Sequence, residues 1–218
     1  MKELNFYFDY LSPFSYFAWL KLPQMAQDLD LKINYIPTAL GPLLNHWGIK
    51  GPGEVQPKRE FLLKQMLRYA DNNKIEFTTP KTHPFNSIYA LRLSLVEVAG
   101  IYQERVIETI WKSGWQKRID LGEPDDLQTA LREAELPAED LYEKSFSKEA
   151  RLALKNNIQE AIGKGVFGVP SFIYHDELFW GNDSLNELRL FIQGQDNLDR
   201  ERFQLLLSST PRAAAQSF

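Results

Sequence analysis

An α/β fold, with strand-forming segments near both ends of the chain and a long helical block between them, is what this sequence predicts. Three observations lead there. Leu4 to Asp9 is short, apolar and aromatic, and a Ser-Pro turn closes it. A helical stripe and a second alternating segment follow it directly, which is the β-α-β order that requires a parallel crossover. Far downstream, Val166 to Tyr174 and Leu178 to Gly181 form two short apolar runs around His175-Asp176-Glu177, the pattern of a hairpin.

In the first helix, Ser12 is a good N-cap and Pro13 suits the first helical position, where its missing N–H costs nothing. Tyr16, Leu20, Met25 and Leu29 mark its buried stripe. Leu31, Ile33 and Tyr35 alternate with Lys32 and Asn34 in the next strand, and Pro37 closes it. From Leu40 to Lys58 the pattern dissolves into Gly41, Pro42, Gly48, Gly51, Pro52, Gly53 and Pro57, which predicts a long irregular loop of the kind that carries function. From Arg59 to about Ser145 the signal is mostly helical, with stripes at Phe61, Leu62, Met66 and Leu67, at Ile88, Leu91, Leu93 and Val96, and at Val106, Ile110 and Trp111. Asp125 to Ala134 and Pro137 to Lys144 predict shorter helices, and the acidic run Glu123 to Glu143 reads as a solvated helical face. Ser147 opens a helix lasting to Ile162, which Gly163 and Gly165 end. Asp183 or Ser184 can cap a last helix reaching Phe191. The tail from Gln193 is polar, and Pro211 to Gln216 reads as frayed. The expected organisation is a strand-bearing domain from residues 1–40 and 147–195, an insertion over 41–146 and a tail over 196–218.

Composition narrows the function. The 218 residues are 44% hydrophobic and 25% charged, which is ordinary for a globular protein. A formal net charge of -4 argues against nucleic-acid binding. There is no secretory pattern and no membrane-length apolar run, so a cytoplasmic chain is expected. The chain contains no cysteine, which excludes disulfides, thiolate metal sites and thiol chemistry of its own. His46, His83 and His175 lack metal-ligand spacing, so no metal is expected.

That absence of sulfur is informative at the first turn. Thioredoxin-like proteins carry Cys-x-x-Cys where a strand gives way to a helix, and the helix N-terminus stabilises the thiolate. Here those two positions are Ser12 and Ser15. A thioredoxin-like fold would keep the anion-favouring helix start without supplying a thiol, and the simplest borrowed thiol is glutathione. In such folds the loop before the later strand holds a cis-proline facing the helix start. Val169-Pro170 fits it, and the Val169 backbone would then pair with a peptide-like thiol as an added strand. Each motif has a plainer reading by itself. Ser12-Pro13 can be a capped helix start, Val169-Pro170 a structural turn, Asn182-Asp183 a helix cap and Lys58 a solvated lysine. Tyr7, Tyr10, Phe14, Tyr16 and Trp47 are read as mostly core, with one or two lining an acceptor pocket.

The stretch from Phe6 to Tyr16 resembles the N-terminus of the 2-hydroxychromene-2-carboxylate isomerase family, relatives of kappa-class glutathione transferases within the thioredoxin-like superfamily. The resemblance continues in Pro84-Phe85-Asn86-Ser87, in Leu91-Arg92, in Gly165 to Phe172 and in Leu178 to Asp183. It implies a thioredoxin-like domain interrupted by helices, a homodimer, and glutathione as cofactor. It also implies roles. Ser12 would hydrogen-bond the glutathione sulfur, Val169 before Pro170 would bind the cysteinyl backbone, and Asn182 and Asp183 would hold the γ-glutamyl end. Lys58 would meet the glycyl carboxylate. Apart from the resemblance, the carboxylate of an oxo-acid substrate needs a cation, which Lys50 or Lys58 in the Gly/Pro-rich loop could supply, and Trp47 is a candidate to face the substrate. Two departures stand out: Ile49 replaces an Asn that contacts glutathione in the family, and the turn at His175-Asp176-Glu177 lacks the usual glycine. The implied activity is reversible thiolate addition that isomerises an unsaturated aromatic 2-oxo acid. A kappa-like transferase or peroxidase, and a non-catalytic peptide-binding scaffold, are the alternatives.

Overall fold

The computed structural model describes residues 2–209. Strand β1 (Lys2–Phe8) leads through a tight turn into helix α1 (Pro13–Leu29), and strand β2 (Leu31–Pro37) returns parallel to β1. Strands β3 (Ser171–Tyr174) and β4 (Glu177–Trp180) complete a four-stranded sheet in the order β2-β1-β3-β4, with β3 antiparallel to both of its neighbours. The sheet thus joins the two ends of the sequence, as the α/β reading expects.

Between them lie helices α2 (Leu40–Trp47), α3 (Gln56–Asn72), α4 (Ile88–Leu93), α5 (Val96–Ala99), α6 (Gln103–Trp115), α7 (Pro124–Glu133), α8 (Ala138–Ser145) and α9 (Lys148–Gly163). Helices α10 (Leu185–Ile192) and α11 (Arg200–Ser209) follow the sheet. Among the described residues no helix is long and apolar enough to cross a membrane.

The core is aromatic. Phe6 stacks between Phe8 and Phe172, with ring centroids 5.2 Å apart in both pairs, and Trp111 of α6 packs against Phe8 and Tyr10. Tyr16 of α1 lies against Trp115 at 6.2 Å, so the helical segment is fused to the sheet layer through aromatic contact. Tyr7, Tyr10 and Tyr16 are fully buried, as expected, whereas Trp47 is 43% exposed and is not a core residue.

Several local expectations are corrected. The Gly/Pro-rich stretch is not one irregular loop, because those residues punctuate helices. Gly41 and Pro42 occupy the first turn of α2, Gly48 ends that helix at φ 64°, and Pro57 sits in the first turn of α3. Of the expected α3 stripe only Met66 is buried, while Phe61 and Leu67 are 59% and 55% exposed. The expected stripe from Ile88 to Val96 breaks after Leu93, where the Ser94 hydroxyl bonds back to the Ala90 carbonyl, and Val96 is exposed. The helical block is interrupted by irregular residues 74–87. Strand β3 starts at Ser171 rather than at Val166. Helix α10 has no side-chain cap from Asp183 or Ser184; the Ser184 hydroxyl donates instead to the Gly181 carbonyl. The tail from Gln193 contains α11, and the expected frayed stretch Pro211 to Gln216 lies outside the described residues.

Candidate functional site

The turn between β1 and α1 is tied down at four consecutive residues, each by a different part of the chain. Asp9, fully buried, accepts the Leu11 N–H at 3.0 Å through Oδ1 and the Leu40 N–H at 2.7 Å through Oδ2. The Tyr10 carbonyl accepts from Trp115 Nε1 at 3.0 Å. The Leu11 carbonyl lies 3.0 Å from His83 Nε2. The Ser12 hydroxyl donates to the Val169 carbonyl at 3.3 Å.

Ser12 also caps α1. Its Oγ accepts the Ser15 N–H at 3.2 Å, and Pro13 occupies the first helical position, as its ring requires. The hydroxyl therefore stands where the partial positive charge of the helix is concentrated. Ser12 is 7% exposed; Ser15 is fully buried, and its Oγ has no hydrogen-bond partner among the described residues. Burial pushes the Asp9 carboxyl above the usual range, and the Leu40 and Leu11 amides offset only part of that cost.

The second half of the site comes from the other end of the sequence. The Val169–Pro170 bond is cis, Val169 is 9% exposed, and its N–H makes no hydrogen bond among the described residues. The Pro170 carbonyl accepts the Gly181 N–H at 2.9 Å, which anchors the 3-10 turn Asn182–Ser184 beside it. That turn packs on α1. Asn182 is buried with its Oδ1 unpartnered, and Asp183 is exposed. Ser12, Val169, Pro170, Asn182 and Asp183 are thus linked through one chain of contacts.

Lys58 and Lys50 do not join that chain of contacts. Lys58 lies exposed on the first turn of α3, Lys50 lies exposed after α2, and neither forms an ion pair among the described residues. Ile49 is exposed. Trp47 is anchored by its indole N–H, which donates to the Val166 carbonyl at 3.0 Å and so braces the loop that leads to Pro170. Phe167 and Trp180 pack against each other beside the same loop, their rings tilted by 57° with centroids 5.1 Å apart.

A model of the DSBA-like thioredoxin domain matches residues 3–193. The chain belongs to that family. The chain is 29% identical over 195 residues to the 2-hydroxychromene-2-carboxylate isomerase of Sphingobium xenophagum, covering 88% of this chain and 98% of that one. It is 23% identical over 206 residues to glutathione S-transferase kappa 2 of Caenorhabditis elegans, covering 88% and 92% respectively. A solved structure of 2-hydroxychromene-2-carboxylate isomerase superposes with a TM-score of 0.79 at 25% identity, covering 95% of this chain and 100% of that one.

The sequence gives no signal for Trp115 as a clamp on the turn, since it reads only as an apolar residue near the end of α6. His83 and Asp9 do carry a local signal, since His83 immediately precedes Pro84-Phe85-Asn86-Ser87 and Asp9 stands just before the Ser-Pro turn.

Proposed function

We propose that this chain is a glutathione-dependent cis-trans isomerase of 2-hydroxychromene-2-carboxylate or a related unsaturated aromatic 2-oxo acid. The observation that carries this reading is the Ser12 hydroxyl at the start of α1, held against the Val169 carbonyl in a chain with no cysteine. Identities of up to 29% to curated isomerases, against 23% to the kappa-class transferase, favour isomerisation over transfer.

The residues present fit glutathione. The free Val169 N–H and the buried, unpartnered Asn182 Oδ1 are polar groups suited to a peptide-like ligand, and Asp183 suits an ammonium group. Exposed Lys58 suits the glycyl carboxylate, and Lys50 and Trp47 suit the carboxylate and ring of the oxo acid. When bound, glutathione supplies a thiolate that adds reversibly to a conjugated double bond, permits rotation and is expelled unchanged.

Ser12 has one proton to give. Without ligand that proton goes to the Val169 carbonyl. To stabilise a thiolate the hydroxyl must turn toward the sulfur, which releases the Val169 carbonyl to accept a ligand N–H. The exchange keeps every polar group paired, so it avoids the cost of leaving a buried acceptor bare. Ser12 is a thiolate stabiliser rather than a nucleophile, since no base contacts its hydroxyl among the described residues. The homodimer implied by the family resemblance and the cytoplasmic location expected from the sequence belong to the same proposal; sedimentation tests the first.

The test is a glutathione titration followed by thiolate ultraviolet absorbance, with S-methylglutathione as the thiol-free control, and then turnover of the oxo acid. A saturable thiolate signal and turnover that stops without glutathione are expected. Turnover independent of glutathione overturns the proposal, and a stable conjugate or oxidised glutathione among the products replaces it with the transferase or peroxidase reading.

A further inference from the structure

His83 stands beside the Ser12 turn although it lies 72 residues from it in sequence. Its ring Nε2 is 3.0 Å from the Leu11 carbonyl, the residue immediately before Ser12. A carbonyl oxygen only accepts, so Nε2 must carry the proton and donate it. In the neutral ring this leaves Nδ1 as an unprotonated base. Nδ1 has no partner among the described residues, and the ring is only half-buried. Trp115 and Phe85 hold it edge to face at 5.6 and 6.2 Å, and Trp115 itself is bonded to the Tyr10 carbonyl of the same turn. One nitrogen is thus spent on orientation while the other stays available to take a proton.

We propose that His83 Nδ1 is the proton acceptor of this site, taking the proton of the thiol that Ser12 stabilises. The inference rests on the glutathione reading above. An N–H bond forms at Nδ1 as the S–H bond breaks, the electron pair stays on sulfur, and the same proton returns on release; nothing is oxidised or reduced. The imidazolium so formed offsets negative charge that develops near the start of α1. The charged groups on segments packed against His83 are Asp9 in the turn, Lys112 and Lys117 around Trp115, Asp120 through its 2.6 Å bond from Thr82, and Lys81 on its own loop.

Two measurements test this. With three histidines in the chain, nitrogen chemical shifts of the ligand-free protein assign the His83 tautomer directly. The Nε2–H form is expected, and the Nδ1–H form overturns the proposal whatever the ligand is. The second measurement compares His83→Gln, whose amide can still donate to the Leu11 carbonyl but cannot titrate, with the unaltered chain. The pH midpoint for thiolate formation in bound glutathione is expected to rise by about one unit, and turnover to fall by about 100-fold or more, with S-methylglutathione affinity within about twofold. An unchanged midpoint overturns the proposal, and so does loss of S-methylglutathione binding, which would make His83 a structural brace. Failure of the unaltered chain to bind S-methylglutathione is distinguishable, since it removes the glutathione reading itself.

Discussion

The Ser12 hydroxyl and the Val169 carbonyl are joined by a 3.3 Å hydrogen bond across 157 residues of sequence. The contact couples the start of α1 to the cis-proline loop and gives one side chain two roles, since the same Oγ caps the helix by accepting the Ser15 N–H.

Ser12→Ala separates those roles. Turnover with glutathione is expected to fall about ten- to 100-fold, the equivalent of losing a hydrogen bond to a charged group. Unfolding free energy should fall by only about 1 kcal/mol, the usual value of an N-cap. Steady-state kinetics and chemical denaturation measure the two effects independently.

Asp9→Asn carries a pH signature. An amide can accept from Leu11 or from Leu40 but turns its NH2 toward the other amide, so a loss of about 1–3 kcal/mol is expected. The folded-state pKa of Asp9 is raised, chiefly by burial. The stability contributed by its protonation is therefore complete below the unfolded value and is lost as pH rises through the folded one. The gap between the two chains should be widest in acid and narrow as pH climbs across that window. Denaturant midpoints of both chains at matched pH isolate this carboxyl from all the others.

Gly114→Ala is expected to destabilise despite the better helix propensity of alanine. A methyl group there would be driven into the fully buried Leu121 side chain. Overpacking of about 1–3 kcal/mol outweighs a helical gain of about 1 kcal/mol. Thermal unfolding checks the sign.

Lys58→Met should raise the glutathione KM by only about two- to fivefold, because an exposed ion pair is worth little. Lys50→Met should act instead on the KM of the oxo acid. Both effects should shrink in high salt, where the Debye length is about 3 Å at 1 M. An effect on kcat alone would remove either lysine from its role.

The sequence by itself determined the pieces set by local physics. Leu4 to Asp9, Ser12-Pro13 and the alternation after Leu31 fixed the parallel β-α-β start, because periodicity and capping act within a few residues. The absence of cysteine, a fact of composition, set the chemistry in question. Helix α2 is not legible in the sequence because glycine and proline occur both in loops and at helix ends, and only its packed position distinguishes the two uses. That Val169-Pro170 faces the start of α1 follows from the thioredoxin-like reading, whereas the tertiary structure alone decided that the Ser12 hydroxyl bonds the Val169 carbonyl, that Asp9 binds Leu40, and that Trp115 and His83 hold the turn from the helical segment. Each of these is a hydrogen bond between groups far apart along the chain. Such partners are chosen by how the sheet and helices pack, and no local pattern of residues encodes that choice.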